Sequence, residues 1–170
     1  VLATIDCITG QATTVGLLGL SAGQGRAVTD INFDSQGRLW AYYNTPDNMD
    51  VLGTVNIATG AFSSIGFTGL NDIGNGLAFA RFLEDDLYHA GYQKLSTLST
   101  MTGNATTVAN PLVFLFGSLN TPRINAMDTD FFLNYTYASF NNKGFGTGAL
   151  PENYLSIINR NTGEVHLLTD

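Results

Sequence analysis

Leu52-Gly-Thr-Val-Asn-Ile-Ala-Thr59-Gly60-Ala-Phe-Ser-Ser-Ile65 is the stretch that decides the fold of this 170-residue chain. Apolar residues alternate up to a polar turn, Thr-Gly closes the turn, and a second short alternation follows. A period of two marks strands, and a glycine after the turn supplies the positive φ that a tight turn or bulge requires. The stretch reads as one β-hairpin.

The same pattern occurs three more times. The copies are Leu2-Ala-Thr-Ile-Asp-Cys-Ile-Thr9-Gly10-Gln-Ala-Thr-Thr-Val15, Leu95-Ser-Thr-Leu-Ser-Thr-Met-Thr102-Gly103-Asn-Ala-Thr-Thr-Val108 and Leu155-Ser-Ile-Ile-Asn-Arg-Asn-Thr162-Gly163-Glu-Val-His-Leu-Leu168. The Thr-Gly pairs are 50, 43 and 60 residues apart, and a Leu stands seven residues before each Thr. Self-similarity at such spacings marks an array of supersecondary units. Asp6, Asn56 and Asn159, just before their turns, suit turns capped by a side chain.

Between these hairpins runs a looser pattern. Its copies are Val28 to Tyr42, Gly76 to Gly91 and Ile124 to Tyr135. Each predicts a buried strand, a short polar turn and a second strand rich in aromatics. One looser hairpin plus one Thr-Gly hairpin gives a four-stranded unit of roughly 45 residues, the size of a β-propeller blade. The expected architecture is therefore all-β, with about three and a half four-stranded blades. An outer hairpin covers residues 2–16, and full blades cover 28–66, 74–109 and 123–169. The first hairpin lacks an inner pair, and three and a half blades are too few to close a ring comfortably. Two completions are expected: the chain is part of a longer propeller, or it is closed by oligomerisation. Self-association through the end hairpins would remove the unpaired strand edges that invite aggregation. The start at Val1 on strand-like residues fits a processed, excised or incompletely read chain.

Composition excludes some partners. Hydrophobic residues make up 44% and charged residues 12%, with 19 glycines, which suits short strands and tight turns. Seven Lys+Arg against fourteen Asp+Glu leave a formal charge of −7, the wrong sign for nucleic acid or an anionic membrane surface. No apolar run approaches the ~18 residues of a membrane-spanning helix. Cys7 is the single cysteine, so no disulfide forms within the chain. Its strand-like surroundings predict a small buried thiol.

Candidate chemistry is sparse. His89 and His166 are the only histidines. His166 alternates with Val165 and Leu167 and is expected to face solvent; His89, in an aromatic strand, is expected to be structural. Glu84-Asp85-Asp86 and Asp128/Asp130 are placed in turns between inner strands, and Asp47-Asn48-Met49-Asp50 in a similar loop. No cofactor is expected; calcium is the one ion these carboxylates suggest, without EF-hand spacing. Gly74-Asn75-Gly76 and the glycine-rich 144–148 stretch lack the Lys-Ser/Thr of a phosphate loop. The insertion at 141–153 offers Phe140 and Phe145 as an exposed aromatic contact, and the apolar connection 110–122 reads as an interface patch or as core. Asn104-Ala-Thr106 and Asn134-Tyr-Thr136 match the N-glycosylation acceptor pattern.

The run Ile-x-Phe-Asp-x-x-Gly-x-Leu-Trp-Ala (Ile31 to Ala41), followed by Leu-x-x-Val-x-x-x-Thr-Gly (Leu52 to Gly60), resembles the YVTN, NHL and SMP-30-like β-propeller repeats. The resemblance implies a secreted or cell-surface protein, and an architecture that hosts lactonases, binding modules and scaffolds alike. In SMP-30-like enzymes it implies a metal in the central channel, held by an acid and polar side chains from several blades. The residues opening the inner strands here are Thr29 and Asp30, Asn75 and Gly76, and Arg123 and Ile124. One acid, one amide and one guanidinium do not match the oxygen cage of a hard cation.

The functional expectation is a non-enzymatic extracellular or cell-surface module for binding or scaffolding, with a protein or glycan partner. Asp30, Asn75 and Arg123, at the channel entrance, are the candidate binding residues; no catalytic residue or metal ligand is assigned. One alternative is a propeller hydrolase or lactonase with a channel metal site around Asp30, Asn75 and His89. Another is a self-assembling surface or filament subunit.

Overall fold

The computed structural model describes residues 1–20, 27–45, 49–71, 76–80, 86–115, 123–130, 135–141 and 153–168. Among them every regular element is a strand. β1 (Leu2–Ile5) and β2 (Ala12–Gly16) form an isolated antiparallel hairpin. β3 (Ala27–Phe33), β4 (Leu39–Asn44), β5 (Val51–Val55) and β6 (Phe62–Phe67) follow as a four-stranded antiparallel sheet in chain order. β7 (Gly76–Ala80), β8 (Asp86–Ala90), β9 (Leu95–Leu98) and β10 (Ala105–Ala109) repeat that arrangement. A third sheet holds β12 (Arg123–Thr129), β13 (Thr136–Asn141), β14 (Asn153–Ile158) and β15 (Glu164–Leu167). The two-residue β11 (Val113–Phe114) adds to its outer edge, parallel to β15.

The repeated Thr-Gly turn is built from local polar groups. Asp6 Oδ1 accepts the amides of Ile8 and Thr9, and Asn56 Oδ1 accepts those of Ala58 and Thr59. Asn159 Oδ1 does the same for Asn161 and Thr162, and Ser99 Oγ for Met101 and Thr102. Each Thr hydroxyl then accepts the amide two residues on, at Gln11, Ala61, Asn104 and Glu164. The four glycines hold φ between 73° and 82°, a region that a Cβ disfavours. Cys7 is the first residue inside such a turn and is exposed. The expectation of a buried strand thiol is corrected, because Asp6 ends the strand by capping the turn.

Consecutive units stack face to face. Leu2 and Leu18 pack on Leu39, Ala41 and Val55 of the first full sheet. Trp40, Tyr42, Leu52 and Leu70 meet Leu77, Phe79, Leu87 and Leu98 of the second. Ala78, Tyr88, Ala90 and Leu95 meet Ile124, Met127, Ile158 and Val165 of the third. Burying one such Leu, Ile or Phe side chain contributes about 1.5–3 kcal/mol, so these faces are the main cohesion between sheets.

A second contact recurs at the rim. The residue seven places after Thr9, Thr59 and Thr102 lies on the next unit's Thr-Gly turn. A Cβ on Gly16 would collide with the Thr59 carbonyl, and one on Gly66 with the Thr102 carbonyl. Ala109 takes the same place against Gly163. The exit segment then runs along the next sheet's outer strand: Phe62 N donates to Leu18 O and Ala105 N to Thr68 O, both at 2.9 Å. At the last junction β11 takes this role, with Val113 N donating to Gly163 O at 3.0 Å. The apolar connection after Asn110 is thus drawn inward: Leu112 is buried, and Phe114 meets the Phe140 ring edge-on at 5.5 Å. Phe140 is fully buried and stacks on Tyr154, so it is core rather than an exposed aromatic contact.

The half unit, and the face of the first full sheet beside it, differ from the other units at equivalent positions. Ile5 is 70% exposed, whereas Val55, Leu98 and Ile158 are exposed by 5%, 4% and 2%. Ile31 is 47% exposed, whereas Leu77 and Met127 are exposed by 0% and 4%. Gly10 has no atom within 4 Å of a would-be Cβ among the described residues, whereas Gly60 and Gly103 each have a carbonyl oxygen at 2.7 Å.

Candidate functional site

The first strands of the three sheets, β3, β7 and β12, run beside one another, and their polar residues form the cluster that bears on function. Gly76 makes the close approach feasible. A Cβ there would stand 2.8 Å from Ile124 Cγ2 and 3.0 Å from Met127 Cβ, so only glycine lets β12 lie this near β7.

Asp30 sits in β3 beside an irregularity in the pairing with β4, between Val28 and Asp30. Such a bulge re-aims a side chain out of the strict alternation. Its Oδ2 accepts the amide of Leu77 in β7 at 2.7 Å, and its Oδ1 accepts the amide of Ile31 at 2.8 Å. Two residues on, Asn32 Nδ2 donates to Asp128 Oδ1 at 3.1 Å, which links the first full sheet to the third. Burial pushes the Asp30 carboxyl up to about 7; the Leu77 and Ile31 amides pull the other way, and the nearby Asp128 carboxylate adds to the rise. Asp30 therefore exchanges a proton near neutrality, while the two amides hold its oxygens in place. The cluster offers carboxyl oxygens and one amide to a polar ligand, and its negative charge disfavours anions.

Asp128 belongs to β12 itself, not to the turn after it where the sequence pattern placed it. Its pairing with Tyr137 in β13 carries the strand past that position. Asp130 lies just beyond, its amide donating to Tyr135 O. The other residues expected at the channel entrance are distributed differently. Arg123 opens β12 and turns to Tyr92, donating to its hydroxyl at 3.1 Å with the guanidinium 5.0 Å from the ring centroid. Its described contacts are thus with the β8–β9 connection rather than with Asp30. Asn75 lies outside the described residues, as do Asp47, Asn48, Glu84, Asp85, Asn134, Phe145 and the 144–148 glycine stretch.

His89 is in the core, 1% exposed, with its ring stacked on Tyr42 at 3.9 Å across two sheets. Tyr42 pairs with Asp30 and His89 pairs with Leu77, so the stack lies directly behind the Asp30–Leu77 hydrogen bond. The Tyr42 hydroxyl donates to Asp50 Oδ2 at 3.0 Å, which anchors the ring from the opposite side. This histidine supports the cluster by packing. His166 is exposed on β15. Among the described residues, no three His, Cys, Asp or Glu side chains converge on a point that would hold a metal ion. Among the same residues, no helix is long and apolar enough to cross a membrane.

Sequence reasoning missed Asn32 and Asp128 as partners. Neither carries a local signal, because they are 96 residues apart and meet only when the sheets stack.

No family model and no curated protein matches the chain. Among solved structures it is similar to an auxiliary nutrient binding protein from Bacteroides ovatus ATCC 8483, at 14% identity and a TM-score of 0.53. The match covers 84% of this chain and 32% of that protein, so the chain spans about a third of its length. At this identity the likeness is one of fold.

Proposed function

We propose that the chain is a non-enzymatic β-propeller module, with three full blades and one half blade, that binds a hydroxyl-rich partner such as a glycan outside the cytoplasm. The observation that carries this reading is the polar cluster of Asp30, Asn32 and Asp128 where the first strands of the sheets meet. Carboxyl groups fixed by backbone amides, with the Asn32 amide held by one of them, suit the recognition of neutral hydroxyls, because their orientation is set before the ligand arrives. The nutrient-binding role described for the similar Bacteroides protein agrees with a binding function. The low charge of the chain and its Thr-, Ser- and Asn-rich strand faces agree with an extracellular or cell-surface setting.

The test is a panel of neutral and acidic oligosaccharides titrated calorimetrically against the wild-type chain and against Asp128→Ala. Binding of a neutral saccharide that weakens about tenfold or more in the variant supports the reading, the loss expected when a hydrogen-bonding site is left unpaired. Saccharide binding unchanged in Asp128→Ala removes the cluster as the site, and absence of saccharide binding removes the glycan assignment.

A further inference from the structure

In the three full sheets, the strand equivalent to β1 has a neighbour on each side. β5 lies between β4 and β6, β9 between β8 and β10, and β14 between β13 and β15. β1 pairs with β2 alone among the described residues. Strand alternation sets which of its groups face the open side. The Phe62 amide points outward to Leu18, so the Val55/Phe62 pair turns Val55 toward β4; the equivalent Ile5 and its alternate Ala3 turn their backbone groups away from β2. An open edge of this kind is a template for strand addition.

Beside that edge lies an apolar face with a matching gap. Leu2 and Leu18 of the half unit cover Leu39, Ala41 and Val55 of the first full sheet, but Ile31 remains about half exposed. At the next junction the equivalent Leu77 is covered, in one cluster with Trp40 and Tyr42 of β4. At that junction the position is thus covered by the preceding unit's inner pair: β3 lies against β7, and the β4 aromatics share the cluster of Leu77.

We propose that the open edge of β1 and the adjoining face at Ile31 form a docking seat for one further β-hairpin with the chemistry of residues 27–44. Its second strand pairs antiparallel with β1, and its alternating aromatic side chains lie over Ile31. The seat continues an interface that the half unit already makes. A second copy of the chain is a poor occupant, since β4, β8 and β13 are each already held between two strands. The inference rests on the stacked-unit part of the proposed function and is independent of the Asp30 cluster.

The experiment appends a copy of residues 27–44 ahead of Val1 through a flexible Gly-Ser linker, which holds the hairpin at an effective concentration of about millimolar. Amide exchange at Ala3 and Ile5 is compared with that of the unmodified chain. The proposal expects both amides to slow by at least about tenfold as they gain ladder partners. Ile31→Asp in the body of the chain, with the appended copy unchanged, should abolish the slowing, as should an appended hairpin of the same composition in scrambled order. Exchange at Ala3 and Ile5 as fast with the hairpin as without it would overturn the proposal, and so would protection that survives Ile31→Asp. Concentration-dependent protection in the unmodified chain, with a dimer mass by light scattering, would give the seat to a second copy and overturn it too. Saccharide titration of the unmodified and hairpin-extended chains, both with Ile31 intact, reads the Asp30 cluster separately, so failure of either idea is visible alone.

Discussion

At Asp34, one carboxylate organises the turn between β3 and β4. It accepts Trp40 Nε1 at 2.9 Å, the amides of Gln36 and Arg38 at 3.0 and 2.8 Å, and Arg38 Nε at 2.6 Å. Burial by itself would raise this carboxyl, but the donors from Trp40, Arg38 and Gln36 outweigh it and hold it below its ordinary value. Its contribution is thus present above the unfolded carboxyl range and is lost as pH falls through the lowered native value. Asp34→Ala is expected to cost about 2–4 kcal/mol at pH 7, because the buried Trp40 donor loses its partner. Urea denaturation should show that difference narrowing below about pH 4, where the unfolded carboxyl protonates. Asp30 has the opposite sign. Its native value near 7 means that the folded chain keeps a proton the unfolded chain releases, so its contribution falls as pH rises from about 4 to 7. Asp30→Asn should flatten that part of the stability profile, and denaturation midpoints measured across the window check it. The Asp34 turn was partly legible in Phe33-Asp34-Ser-Gln-Gly37. The environment of Asp30 was not, since it depends on an amide of β7.

Among the elements, the repeat reads directly from the sequence because the turn is local: a capping residue, a Thr hydroxyl and a left-handed Gly within eight residues. The rim contacts escape such a reading, because Gly16 and Gly66 look like ordinary strand ends until they meet the next turn. β11 escapes it for the same reason: the apolar 110–122 connection carries no mark of the β15 edge it joins. These contacts make a graded prediction. Gly66→Val should destabilise by about 3 kcal/mol or more, since the added side chain collides with the Thr102 carbonyl of the neighbouring turn. Gly10→Ala, in open space with only its left-handed φ of 73° to strain it, should cost about 1 kcal/mol. Thermal unfolding of the two variants separates them; a loss for Gly66→Val no larger than that for Gly10→Ala would mean that the rim gives way to the added side chain at little cost.

Across the whole molecule, each unit covers the next, both by its apolar face and by its exit segment. This arrangement predicts different tolerance at equivalent positions. Leu98→Ala should cost about 2–5 kcal/mol, as core truncations do, while Ile5→Ala should be close to neutral. Denaturant midpoints of the two variants check this. Amide exchange at Phe62, Ala105 and Ala12, three amides in one place of the repeat, tells whether the units are joined in this way. Phe62 and Ala105 donate to the exit segment of the unit before, and Ala12 has no such carbonyl among the described residues. Exchange is expected to be slow at Phe62 and Ala105 and fast at Ala12. Exchange at Phe62 and Ala105 as fast as at Ala12 would contradict this, because the units would then not be joined through their exit segments.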